Sequence, residues 1–132
     1  FFGPNFNNLV VNAVSENNGA TIFCKKVPDP CRFGIVEYDH NFKILSIEEK
    51  PKKPKSEFAV TGLYVYDKDS SYYAKTLKKS KRGEFEITDL NNIYLSKEKL
   101  RSIRLDDNQS WLDTGTFDAL LEASNYVKRN NI

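Results

Sequence analysis

Methionine is absent from the 132 residues, histidine and tryptophan occur once each, and cysteine occurs twice. A single histidine, His40, in the polar stretch "YDHNF", leaves no partner for a histidine-based dyad or a multi-histidine zinc site, and it reads as a solvated turn residue. Cys24 and Cys31 stand in a chain with no secretory signal pattern and ample core material, so they read as reduced thiols rather than a disulfide. No apolar run approaches the roughly 20 residues that span a bilayer, and no charged-then-apolar leader opens the chain. A cytoplasmic setting without a membrane partner is therefore expected. Neither GxGxxG nor GxxxxGK[ST] is present, which removes a dinucleotide fingerprint and a P-loop from these residues. The missing methionine predicts a fragment of a longer product, or a first residue that is not the gene's first.

What is present suits a folded domain. Hydrophobic residues make up 39% and charged residues 29%, and nine Phe with seven Tyr supply bulky core material. A chain of this length buries roughly two-thirds of its unfolded surface, and no linker or repeat divides it. The net charge of +2 is too mild to imply a nucleic-acid partner. The lysine-rich segment "EEKPKKPKS", Glu48 to Ser56, lacks the interleaved aromatics of a strand-binding surface, so no nucleic-acid partner is expected there either.

Helices and strands alternate along the chain. "NFNNLVVNAVSENNG" places Phe6, Leu9, Val10, Ala13 and Val14 at helical spacing and ends on Gly19. "ATIFCKKV" reads as a strand, and "IVEYDHNFKILSIEE" as a hairpin turning around Asp39, His40 and Asn41. "EFAVTGLYVYD" shows no strict alternation, as expected of a central strand covered on both faces. "SSYYAKTLKKS" reads as a helix with a cationic end, and "EITDLNNIYLSKEK" as a helix with Thr88 as N-cap and Leu90, Ile93 and Tyr94 inward. "LRSIRLDD" and "SWLDTG" read as short strands. "TFDALLEASNYVKRN" reads as a last helix with Phe117, Leu120, Leu121 and Val127 inward. The expected class is α/β, a mixed sheet flanked by helices.

Polar residues at strand ends are the candidates for chemistry. Glu49 and Lys50 close a strand that Pro51 terminates. Ligands of open α/β sheets sit beyond strand ends, where a carboxylate accepts sugar hydroxyls and an ammonium holds phosphate; an exposed ion pair is the plain alternative. Asp113 in "WLDTGT" lies between Trp111 and Gly115. It suits either a hard-cation ligand such as one of the carboxylates of Mg2+, or a turn carboxylate held by local amides.

In order, "RFGIVEYD", "SIEEKPKKPKS", "FAVTGLYVYD", "RGEFEITDLNNIYL" and "WLDTGTFDALLEASNYV" closely resemble the second half of bacterial glucose-1-phosphate thymidylyltransferases. The resemblance covers nearly the whole chain and implies a partial Rossmann-like nucleotidyltransferase fold. It implies that Glu49 and Lys50 contact the sugar hydroxyls and sugar phosphate, that Gly34 and Val60 line the sugar pocket, and that Trp111 is a pocket wall. Asp113 matches one of two aspartates that hold Mg2+, and Phe2 and Gly3 resemble the start of a segment lining a separate feedback site. The implied reaction joins glucose 1-phosphate to the α-phosphorus of dTTP, giving dTDP-glucose and pyrophosphate. Members are usually homotetramers.

The resemblance also implies gaps. A glycine-rich nucleotide loop and a "GDN" segment with the other metal aspartate would precede Phe1, and helical sequence would follow Ile132. Residues 1–132 are then a single fragment, the sugar-phosphate-binding half of a nucleotidyltransferase domain without its nucleotide-binding half. No catalytic residue is expected within it, and alone it is expected not to turn over. A uridylyl- or guanylyltransferase using UTP or GTP, or a non-catalytic sugar-phosphate-binding module, are the competing expectations.

Overall fold

The computed structural model describes residues 1–130. Helix α1 (Phe6–Ser15) forms where the spacing predicts, and Phe6, Leu9, Val10 and Ala13 pack on Phe23 and Leu105. Val14, at the edge of that stripe, is exposed instead.

Strands β1 (Ala20–Lys26), β2 (Gly34–Tyr38), β3 (Ile44–Glu49), β4 (Phe58–Tyr66) and β5 (Leu100–Leu105) form one sheet in the order β3-β2-β4-β1-β5. β1 runs parallel to β5 and antiparallel to β4, while β2 is antiparallel to both β3 and β4, so the sheet is mixed. The β2–β3 turn is set locally: Asp39 Oδ1 accepts the amides of Asn41 and Lys43, each at 2.8 Å, and His40 is exposed. β4 is central, as expected, but it is fully buried only over Ala59–Thr61. Beyond them the pairing with β1 slips: Ile22 faces Tyr64 and Cys24 faces Val60, which leaves extra residues on β4. Gly62 takes up that bulge at φ +80, a conformation that suits a residue without Cβ.

The sheet curls until its edge strands β3 and β5 touch. Arg104 of β5 lies 3.4 Å from the Phe42 ring centroid and 5.9 Å from those of Tyr38 and Phe58, a cation held among three aromatic faces. Cys24 is buried and Cys31 exposed, and both are free thiols.

Helices α2 (Ser70–Thr76), α3 (Ile87–Ser96) and α4 (Phe117–Arg129) complete the fold, with α3 against β3. Several expectations change here. α2 stops at Thr76, before the lysines assigned to its end. Thr88 is not the N-cap of α3; that position is Glu86, and Thr88 lies inside the helix. "SWLDTG" is not a strand: Ser110 makes one isolated bridge to Phe2, and the rest is loop. Phe117, Leu120, Leu121 and Val127 face outward, with Phe117 94% exposed, while α4 packs through Ala123 and half-buried Ala119 and Tyr126. Small residues let a helix sit close to its support, so apolar periodicity alone does not say which side is covered. No described helix is long and apolar enough to cross a membrane.

Candidate functional site

β2 is antiparallel to both neighbours, and its first residues lie beside the last of β3 and beside Ala59, near the start of β4. Gly34 pairs with Glu49, and Ile35 with Ala59. β5 also ends there, beside the end of β1, and releases the loop that carries Trp111 and Asp113. A cleft of about 250 Å³ is walled by Arg32, Gly34, Glu49, Val60, Thr88, Trp111 and Asp113, together with Gly62 and Tyr64 further along β4. Five of the six residues singled out from the sequence share its wall. Lys50 does not: it is exposed beside the cleft, in left-handed backbone at φ 44, its amide donating to the Phe33 carbonyl at 3.0 Å. That amide ties the end of β3 to the start of β2, and buried Pro51 ends the ladder.

Glu49 is held from two sides. Its Oε2 accepts the Thr88 hydroxyl at 2.6 Å, and its Oε1 lies 3.6 Å from Arg82 Nη1. Gly34 is needed for space rather than for its torsions, because a Cβ there would lie 3.1 Å from Thr88 Oγ1 and 3.2 Å from Glu49 Oε2. Arg82 also meets Glu84 at 2.9 Å and buried Glu86 at 3.4 Å, and Ser80 donates to Glu86 at 2.8 Å. The Tyr64 phenol is pushed up to about 12, first by burial and then by the Glu49 charge, so it stays neutral and able to donate.

On the opposite wall Trp111 meets Phe33 edge-on, with ring centroids 5.1 Å apart. Asp113 Oδ1 accepts the Gly115 amide at 3.2 Å, and Oδ2 lies 3.4 Å from Arg32 Nη2. No group of three or more His, Cys, Asp or Glu that could hold a metal occurs among the described residues. Asp113 alone fits as one carboxylate of a Mg2+ site, since that ion takes one or two carboxylates together with substrate phosphates.

Arg32, Tyr64, Arg82 and Thr88 were not picked out from the sequence. Thr88 had a signal, a hydroxyl at a helix start, but its role as a Glu49 donor depends on α3 packing against β3. Arg82 and Arg32 carry none beyond being cations near motifs.

The cleft combines a fixed carboxylate, aromatic faces and a second carboxylate at its rim, groups that suit a polar, hydroxyl-bearing ligand. The nucleotidyl transferase family profile matches residues 1–130, so the chain belongs to that family. It is 49% identical over 128 residues to a glucose-1-phosphate thymidylyltransferase of Neisseria gonorrhoeae and 46% identical to one of Mycolicibacterium smegmatis, in each case over 97% of this chain and 44% of the relative. The chain thus spans less than half the length of these relatives. A Bacillus anthracis protein assigned as a glucose-1-phosphate thymidylyltransferase and solved with sucrose superposes with a TM-score of 0.83 at 40% identity, over 97% of this chain and 51% of that one. UDP-glucose pyrophosphorylase bound to UDP-glucose superposes with a TM-score of 0.77 over 94% of this chain and 49% of that one, at 19% identity, a likeness of fold alone.

Proposed function

We propose that the chain is the sugar-phosphate-binding part of a glucose-1-phosphate thymidylyltransferase, an enzyme that makes dTDP-glucose and pyrophosphate from dTTP and glucose 1-phosphate. The observation that carries this is the meeting of Gly34, Glu49, Thr88 and Val60 with Trp111 and Asp113 in one cleft, in a chain whose relatives bear that name. In this reading Glu49 accepts sugar hydroxyls, its unshared lone pairs turned to the cleft while Thr88 and Arg82 hold it. Gly34 lets the sugar approach the backbone, Trp111 and Val60 form apolar walls, and exposed Lys50 attracts the phosphate.

A phosphate oxygen of glucose 1-phosphate forms a bond to the α-phosphorus of dTTP, and the bond from that phosphorus to the bridging oxygen breaks, so pyrophosphate leaves with its electron pair. The nucleophile is already an anion, so no strong general base is required, in keeping with a cleft that holds no histidine. The work is alignment of two anions and compensation of their charge, to which Lys50 and Asp113 contribute. Mg2+, held in part by Asp113, would supply charge neutralisation at the phosphates. A cytoplasmic setting and homotetrameric assembly of the full-length enzyme go with the same reading.

The 132 residues alone are proposed to bind sugar phosphate without turnover. Pyrophosphate release is measured from glucose 1-phosphate with dTTP or UTP, for the chain and for a full-length polypeptide containing it. Preference for dTTP in the longer protein and silence in the chain are expected. Robust release by the 132 residues would refute the incomplete-site reading, and preference for UTP would refute the thymidylyl assignment.

A further inference from the structure

Arg32 closes the 3₁₀ turn Pro30–Arg32, directly before Phe33 and Gly34. Its Nη2 lies 3.4 Å from Asp113 Oδ2, and both side chains line the cleft. That separation is long for a charge-assisted hydrogen bond, which runs at about 2.7–2.9 Å. The side chains are 48% and 36% exposed, so water screens the pair and its opening costs little.

Each partner has a second contact of its own. Asp113 Oδ1 accepts the Gly115 amide at 3.2 Å, on the oxygen that Arg32 does not meet. The guanidinium of Arg32 has a second support, its carbon lying 5.5 Å from the Phe33 ring centroid. One carboxylate oxygen is therefore anchored by backbone, and the other is covered by a cation that can leave. Arginine does not lose its proton at accessible pH, so the cover is removed only by movement.

We infer that Arg32 is an exchangeable counterion: it neutralises Asp113 while the cleft is empty and yields that carboxylate to a divalent cation. The role rests on the reading of the cleft as a metal-assisted sugar-phosphate site. It keeps Asp113 from adding an uncompensated charge to a cleft that already contains Glu49. It also means that the cation must displace Arg32 to enter.

The Gly115 amide reports on the carboxylate it donates to. The 132-residue chain, labelled with ¹⁵N, is titrated with MgCl2 and followed by amide correlation NMR, which also shows that each variant is folded. The Gly115 resonance is expected to move with Mg2+ in the wild-type chain. In Arg32→Gln it should reach half its response at roughly threefold lower Mg2+, the size expected when a loose surface ion pair is the competitor. Arg32→Lys, which keeps a cation there, should stay near wild type, and Asp113→Asn should not respond. A wild-type Gly115 resonance that ignores Mg2+, or an Arg32→Gln variant that half-saturates at the wild-type concentration, overturns the inference. Glucose 1-phosphate added to the same sample, with the Gly34 and Thr88 amides followed, tests the functional reading by itself. Silence there with the Mg2+ pattern intact refutes the sugar-phosphate assignment alone.

Discussion

Replacing Gly34 by alanine tests how the cleft is built. The added methyl would sit 3.1 Å from Thr88 Oγ1 and 3.2 Å from Glu49 Oε2, so those atoms must give by a few tenths of an ångström, and no left-handed torsion adds strain. Overpacking of this kind costs about 1–3 kcal/mol when the surroundings are rigid. Here they are not equally rigid: Thr88 is buried on α3, whereas Glu49 is half-buried at a strand end, so the Glu49 carboxylate is the group that moves. Its 2.6 Å bond to Thr88 then lengthens, and Glu49 leaves the position from which it is proposed to meet a sugar. The stability loss should fall near ~1 kcal/mol, a drop in Tm of about 3–5 °C for a domain of this size. A displaced charge-assisted bond is worth about 1.5–3 kcal/mol, so glucose 1-phosphate affinity should fall by tenfold or more. Thermal denaturation and calorimetric titration of the same samples give both numbers. An alanine variant that binds glucose 1-phosphate within about twofold of wild type would refute the steric reasoning.

Three further outcomes are expected. Cys24 is pushed up to about 12 by burial and Cys31 is exposed, so one thiol should react with a thiol-specific chromogenic disulfide in the native chain at pH 8 and two in denaturant; two fast thiols in the native state would contradict the burial. The Tyr64 phenol is raised from 10.0 to about 12, so the folded state holds a proton that the unfolded chain releases first. Its contribution is complete below pH 10 and is lost as pH rises toward 12, and denaturation across that window should show a shallower decline in Tyr64→Phe, although half-buried Tyr38 and Tyr66, also raised, keep part of the slope. In the full-length protein Lys50→Ala should impair sugar-phosphate use by at least tenfold, ~1.4 kcal/mol, while Lys53→Ala stays near wild type, and equal effects in steady-state kinetics would return the segment to a charged loop.

The lysine-rich segment Glu48 to Ser56 is set only in part by local sequence. Pro51 ends β3 after Glu49, as its missing amide predicts, and Lys52 and Lys53 are exposed. Lys55 is not free in the turn: it meets Glu37 of β2 at 2.8 Å. Lys50 follows Glu49 directly, yet β3 ends at Glu49 and a left-handed backbone turns the chain at Lys50, which puts it outside the wall that holds Glu49. A chain reversal directly after a strand end thus separates two side chains that are neighbours in sequence.

The sequence by itself determined what depends on neighbours along the chain: the apolar stripe of α1, the Asp39 turn, the strand end at Pro51, and the motifs that carry the family resemblance. The tertiary structure alone decided which strand ends coincide, that Thr88 serves Glu49 rather than its helix terminus, that Arg32 covers Asp113, and that α4 turns its large apolar residues outward. The physical reason is the same in each case. Periodicity and turn chemistry are set by bonds a few residues long, whereas Thr88 and Glu49 lie 39 positions apart and Arg32 and Asp113 lie 81 apart, and only the strand order and curl of the sheet bring them within bonding distance.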